Sequence, residues 1–194
     1  MKYIIEIKNG KHKTYYLRNE LYNMGFIFRK KDKVWFKTTD NKDEIKYYKD
    51  YSKRNKLKYY CYQETYLRGN SYRKDFFMNT DPHYKNKYFC SYCGVLLSRE
   101  ELTVDHIIPI DKAKKSKTAK KILHLLKIDN INDIRNLTAS CFECNSRKRN
   151  KLGFWIIKGF LGKTRYYWKL YYLVLFFLFL IGFLNLYFYF LNIC

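Results

Sequence analysis

At 194 residues the chain has room for one ordinary domain, or a small domain with an accessory one. Its 39 Lys and Arg against 17 Asp and Glu leave a formal net charge of +22. A field of that size favours a polyanion, nucleic acid or an acidic lipid surface, although A/T-rich codon usage also enriches Lys, Tyr, Phe, Asn and Ile. Six cysteines, four of them in two C-x-x-C pairs, do not make the disulfide framework of a small secreted domain.

In chain order, Tyr3 to Ile7 alternates like a strand and does not resemble a cleavable signal peptide, so a reducing compartment is expected. Thr14 to Met24 reads as a helix closed by Gly25. Phe26-Ile27-Phe28 and Val34-Trp35-Phe36 flank the charged turn Arg29 to Lys33, the pattern of a hairpin. Asn41 to Lys53 reads as a second helix and Leu57 to Tyr62 as a further strand. Residues 1–62 are thus predicted to be a small α+β module. Residues 63–85, broken by Arg68-Gly69-Asn70-Ser71 and Asp81-Pro82, read as a linker, and residues 86–152 carry the chemistry. Within them the Lys-rich stretch Asp111 to Lys127 ends in a helical run that places His124 on a helix surface.

Residues 170–193 contain no charged side chain, and a helix needs about 20 apolar residues to cross the hydrocarbon core. Lys163, Arg165 and Lys169 precede this span, with Tyr166, Tyr167 and Trp168 at interfacial depth. The expectation is a C-terminal transmembrane helix with the rest of the chain on the cytoplasmic side. The alternatives are a buried hydrophobic helix or a drifted tail added by read-through.

The pairs Cys90/Cys93 and Cys141/Cys144 have the spacing at which two knuckles close one tetrahedral zinc site. Four thiolates leave no open position, so this Zn²⁺ is expected to be structural. Between the pairs lies Val104-Asp105-His106-Ile107-Ile108-Pro109, and Asn145 follows the second. Phosphodiester hydrolysis needs a nucleophilic water, a base for its proton and a cation for the developing charge. His106 can be that base, because an imidazole with a pKa of about 6.5 is largely neutral at physiological pH. Asp105 can hold a hard cation through oxygen, Asn145 can add a carbonyl oxygen, and Asn136 can orient the imidazole.

This order of residues, Cys90 and Cys93, then Asp105-His106-Ile107-Ile108-Pro109, then Asn136-Leu137, then Cys141-Phe142-Glu143-Cys144-Asn145-Ser146-Arg147-Lys148, resembles the HNH endonuclease family over residues 88–150. The resemblance implies a ββα-metal fold around one catalytic Mg²⁺ or Mn²⁺. It makes His106 the general base, Asn136 the residue that positions it, and Asp105 and Asn145 the metal ligands. It implies DNA as the substrate and a phosphate contact for Lys148. Arg147, Lys148, Arg149 and Lys151 are expected to extend the helix after Asn145 as a basic ridge on the DNA backbone. The expected function is a metal-dependent DNA endonuclease, membrane-tethered or carried by a phage or other mobile element. The competing reading is a non-catalytic, zinc-stabilised nucleic-acid-binding module anchored to a membrane.

Overall fold

Four consecutive buried residues, Ile4 to Ile7, make β1 (Tyr3–Lys8) an inner strand covered on both faces. The computed structural model describes residues 2–191, with side chains to residue 186, and builds a four-stranded antiparallel sheet on this strand. After β1 come α1 (Arg18–Asn23), β2 (Ile27–Arg29), β3 (Val34–Thr39), α2 (Lys42–Arg54) and β4 (Lys58–Gln63), and the sheet order is β2-β3-β1-β4. Successive side chains of a strand alternate between faces. Ile5 and Ile7 accordingly join Leu21, Phe26, Trp35, Tyr48, Tyr51 and Leu57 in one apolar core. Glu6 is also buried, and it takes Arg29 at 2.8 Å and the Tyr62 hydroxyl at 2.7 Å.

The punctuation follows local chemistry. Asn41 caps α2 by accepting from the Asp43 N–H at 2.8 Å, and Gly25, at φ +82°, ends the α1 turn. The first turn of the helix expected from Thr14 is 3₁₀, over Thr14–Leu17, and α1 proper begins only at Arg18. Asn9 Oδ1 fixes that turn by accepting from both the N–H and the hydroxyl of Thr14.

The remaining elements are α3 (Tyr72–Met78), β5 (Tyr88–Phe89), β6 (Leu96–Leu97), β7 (Thr103–His106), α4 (Ile110–Lys115), α5 (Lys117–Leu125), β8 (Leu137–Ser140), α6 (Phe142–Lys148), α7 (Phe154–Gly162) and α8 (Tyr167–Leu191). They do not group in chain order. One unit comprises Met1–Tyr72 with Ile108–Asp133, the other Arg73–Ile107 with Ile134–Cys194. These units cut across the expected boundaries at 62, 85 and 152.

The reason lies in α4 and α5. They bury Ala113, Ala119 and Leu123, and their lysine stems lie on β4. The Lys114 ammonium sits 4.7 Å over the Tyr62 ring, that of Lys115 sits 5.4 Å over Tyr60, and Lys120 donates to the Cys61 carbonyl at 3.1 Å. The Asn132 side chain then ties this insert to residues 67–69, accepting from the Gly69 N–H and donating to the Leu67 carbonyl. His124 is exposed in the last turn of α5.

In the second unit, the stretch read as a linker supplies α3, whose buried Phe76 lies 6.1 Å from the Tyr88 ring. Short antiparallel pairs β5–β6 and β7–β8 follow, with α6 beside them. Within Tyr167–Leu186 of α8 an 18-residue window reaches a mean hydropathy of 2.0 with none of it buried, so α8 is long and apolar enough to cross a membrane. The expected span ran to residue 193, and residues 192–194 lie outside the described residues.

The first turns of α8 are anchored. Trp168 is buried against Gly94, and the Tyr172 hydroxyl donates to the Gly94 carbonyl at 3.1 Å. Gly94 holds φ +81°, and a Cβ there would meet the Trp168 ring at 2.4 Å. Gly94→Ala is therefore expected to cost about 1–2 kcal/mol from the backbone alone, with a further cost for displacing the ring. The lower Tm and a red-shifted tryptophan emission in detergent would check this, and an unchanged Tm would contradict it.

Candidate functional site

The two C-x-x-C pairs sit on different elements. Cys90 and Cys93 lie in the turn between β5 and β6, where the Gly94 N–H donates to the Cys90 carbonyl. Cys141 caps α6, and Cys144 lies in its first turn. The Ser91 N–H reaches the Ala139 carbonyl at 2.9 Å and its hydroxyl meets that of Thr138, which docks the first knuckle on β8. All four sulfurs lie within 4.8 Å of one another, and those of Cys93 and Cys141 are 3.9 Å apart. Tetrahedral Zn–S bonds of about 2.3 Å would set sulfurs about 3.8 Å apart, so the cluster fits a metal such as zinc. Backbone N–H groups of Cys141 and Cys144 already point at the sulfurs of Cys90 and Cys141. Burial pushes the Cys141 and Cys144 thiols up, with the neighbouring Cys90 sulfur adding to it. Four thiolates are stable here only around a cation.

The strands behind this cluster carry the other residues. β7 pairs with β8 so that Asp105 faces Thr138 and His106 faces Leu137, and the Ile107 N–H donates to the Asn136 carbonyl at 2.7 Å. Asn136 is thereby fixed beside the His106 end of β7, and it is fully buried. Thr103 and Asp105 share a strand face, while Asn145 and Lys148, three apart, share a face of α6. The two faces meet. The Asn145 amide donates to the Thr103 hydroxyl at 3.2 Å, and the Lys148 ammonium lies 2.8 Å from Asp105 Oδ2.

Lys148 departs from its expected place. It is 0 % exposed, pairs with Asp105 and donates to the His106 carbonyl at 2.8 Å, so it is no part of a phosphate-gripping ridge. Burial pushes its ammonium down, against the pull of Asp105. The ridge itself is shorter than expected, because α6 ends at Lys148 and Arg149 turns to φ +47°. Arg147, Arg149 and Lys151 are exposed, with Lys151 beyond the helix.

Tyr92 was not anticipated. It lies inside the first knuckle, and its hydroxyl donates to Asp105 Oδ2 at 2.6 Å. Burial and the adjacent carboxylate keep that phenol protonated, its pKa pushed far up. The signal was the tyrosine between two metal-ligating cysteines, a position that must face whatever the cluster packs on. Thr103 was equally legible, two residues before Asp105 on the same strand face.

Asp105 Oδ2 is thus occupied by Tyr92 and Lys148, which leaves Oδ1. Asn145 uses its amide nitrogen on Thr103, which leaves its carbonyl oxygen. One carboxylate oxygen and one amide oxygen suit a Mg²⁺ ion, which takes few protein ligands and completes its shell with water and phosphate. His106 is 3 % exposed. No protein-family model, no curated protein and no solved structure matches this chain.

Proposed function

We propose that the chain is a metal-dependent DNA endonuclease of the HNH type, held at a membrane by α8 with its nuclease unit on the cytoplasmic side. One observation carries this reading: Asp105, His106 and Asn145 lie on a strand pair and a helix that the four-cysteine cluster fastens together, with Asn136 in the turn just before β8. The cluster, with zinc, would hold the two knuckles as a rigid frame and take no part in the reaction. When bound by Asp105 and Asn145, Mg²⁺ or Mn²⁺ supplies positive charge for the phosphate and the departing oxygen. His106 takes the proton of the attacking water, and Asn136 holds the strand end that carries it. Lys148 and Tyr92 hold Asp105 Oδ2 and so leave its other oxygen for the cation. Arg147, Arg149 and Lys151 meet backbone phosphates.

The orientation of α8 rests on Lys163, Arg165 and Lys169 before the span. A second reading, a zinc-stabilised binding module without catalysis, is favoured by the burial of His106, which a substrate reaches only after whatever covers it moves.

Metal dependence separates the two. Full-length protein in detergent is expected to nick supercoiled plasmid with Mg²⁺ or Mn²⁺ and to stop when the cation is chelated. Asn145→Ala should raise the cation concentration for half-maximal nicking by about tenfold or more, since even supporting partners of metal ligands cost 10–100-fold. An unchanged cation requirement would remove Asn145 from the site, and wild-type protein that never cuts would favour the binding module.

A further inference from the structure

The N-terminal unit carries a constellation that the nuclease reading does not use. A cleft of about 270 Å³ opens beside β2 and β3. Three rings line it, Tyr15, Phe28 and Trp35, and the last two stand 5.2 Å apart at a tilt of 48°. Tyr15 is 64 % exposed and Phe28 is 42 % exposed. Among the described residues, three cations, Lys13, Arg18 and Lys33, line the same cleft and no carboxylate does. The Arg18 guanidinium lies 4.7 Å over the Tyr15 ring.

These groups are held in place. The Asn9–Thr14 hydrogen bonds at 2.8 and 2.9 Å fix the turn that presents Lys13 and Tyr15. Lys33 closes the hairpin at φ +53°, and the acid beside it, Asp32, is already bound by Arg29 at 2.7 Å. The cleft therefore offers π-faces framed by uncompensated positive charge. Its complement is a ligand with flat aromatic faces and regularly spaced anions. A duplex hides its base faces in the stack, where rings on a protein surface cannot reach them. A single strand offers both.

We propose that this cleft binds single-stranded nucleic acid, with one base stacked on the Phe28 or Tyr15 ring and its flanking phosphates on Lys13, Arg18 and Lys33. Stacking is tolerant of base identity, so the site selects strandedness rather than sequence. Its location in the N-terminal unit makes it independent of the four-cysteine cluster.

The test uses full-length, zinc-loaded protein in detergent without Mg²⁺ or Mn²⁺, so that binding is read whether or not the chain cuts. The probes are a labelled oligo-dT, an oligo-rU and a duplex of equal length. The double variant Tyr15→Ala/Phe28→Ala is expected to bind oligo-dT about tenfold or more weakly while duplex affinity changes little. The triple variant Lys13→Ala/Arg18→Ala/Lys33→Ala should lower the slope of log K against log salt for single strands by about 2. Equal losses with dT and rU would assign shared base and phosphate chemistry, and a loss with one alone would add a contact to the sugar or to the thymine methyl.

Unchanged single-strand affinity in both variants would overturn the proposal, as would equal losses for duplex and single strand. Displacement of oligo-dT by poly-glutamate, undiminished in the ring variant, would do the same by assigning a charge-only surface. Photocrosslinking of the unmodified chain to iodouracil-substituted oligo-dT avoids any folding defect of a variant. Crosslinks are expected on Tyr15, Phe28 or Trp35, and crosslinks confined to other residues would contradict the site.

Discussion

Cys141→Ser is expected to cost the chain its zinc and the fold of its second unit. The cluster is where that unit is joined: Cys141 caps α6, its N–H points at the Cys90 sulfur, and Ser91 ties the opposite knuckle to β8. The secondary structure around it is slight, two strand pairs of two and four residues and a seven-residue helix. Elements that short do not stand alone in water. Structural zinc supplies about 10–16 kcal/mol of apparent folding free energy in small modules, against about 5–15 kcal/mol for the net stability of a whole domain. Removing one ligand therefore exceeds what the remaining packing can absorb. Metal analysis should fall from one zinc per chain towards none, and the unfolding transition of the second unit should disappear from a thermal scan. The sheet of the N-terminal unit, with a core built from its own residues, should keep its transition. Full zinc occupancy and an unaltered scan for Cys141→Ser would contradict the assignment of the cluster.

Lys148→Ala is expected to destabilise the second unit by about 3–5 kcal/mol, the usual cost of removing one partner of a buried ion pair. The truncation leaves Asp105 buried with only the Tyr92 hydroxyl on its Oδ2, and leaves the His106 carbonyl without its ammonium donor. It also leaves a cavity where a fully buried side chain had been. Lys148→Met restores most of the volume and none of the charge, so it separates the two causes. If charge dominates, Lys148→Met is nearly as damaging as alanine, and adding Asp105→Asn to it recovers stability. Denaturant titration of the three variants measures this. A loss below about 0.5 kcal/mol, the range of an ordinary surface substitution, would mean that Lys148 is exposed after all and free to meet phosphate.

The contrast between what the chain discloses and what it hides is sharpest at Lys148. In Asn145-Ser146-Arg147-Lys148-Arg149, five neighbouring polar or basic residues read alike, and composition cannot say which of them turns inward. Helical phase does: Lys148 is one turn from Asn145 and shares its face, and that face meets the strand carrying Asp105. The strands and turns of the N-terminal sheet were legible because each rests on a local cause, such as the apolar strand-forming run around Ile5 and Gly25 after α1. The metal-binding cysteines were legible because two short knuckles can meet at one ion wherever the chain between them goes.

The destination of that intervening chain was not legible. Residues 108–133 pack on β4 through lysine stems laid across Tyr60 and Tyr62, a long-range choice that no local periodicity encodes. α3 was missed for a related reason. Its Gly- and Pro-containing flanks read as a loop, while Phe76 and Phe77, packed beside Tyr88, hold the helix from a distance.

Plasmid nicking by His106→Ala beside wild type tests most directly the proposed nuclease centre of Asp105, His106, Asn136 and Asn145. Full-length, zinc-loaded protein in detergent would be assayed with Mg²⁺ and with Mn²⁺, each variant checked for zinc content and Tm. Loss of a general base costs about 10²–10⁴-fold in rate. The account predicts metal-dependent nicking by wild type and a loss of that size in His106→Ala with zinc and Tm unchanged. Equal nicking by the two proteins would contradict it.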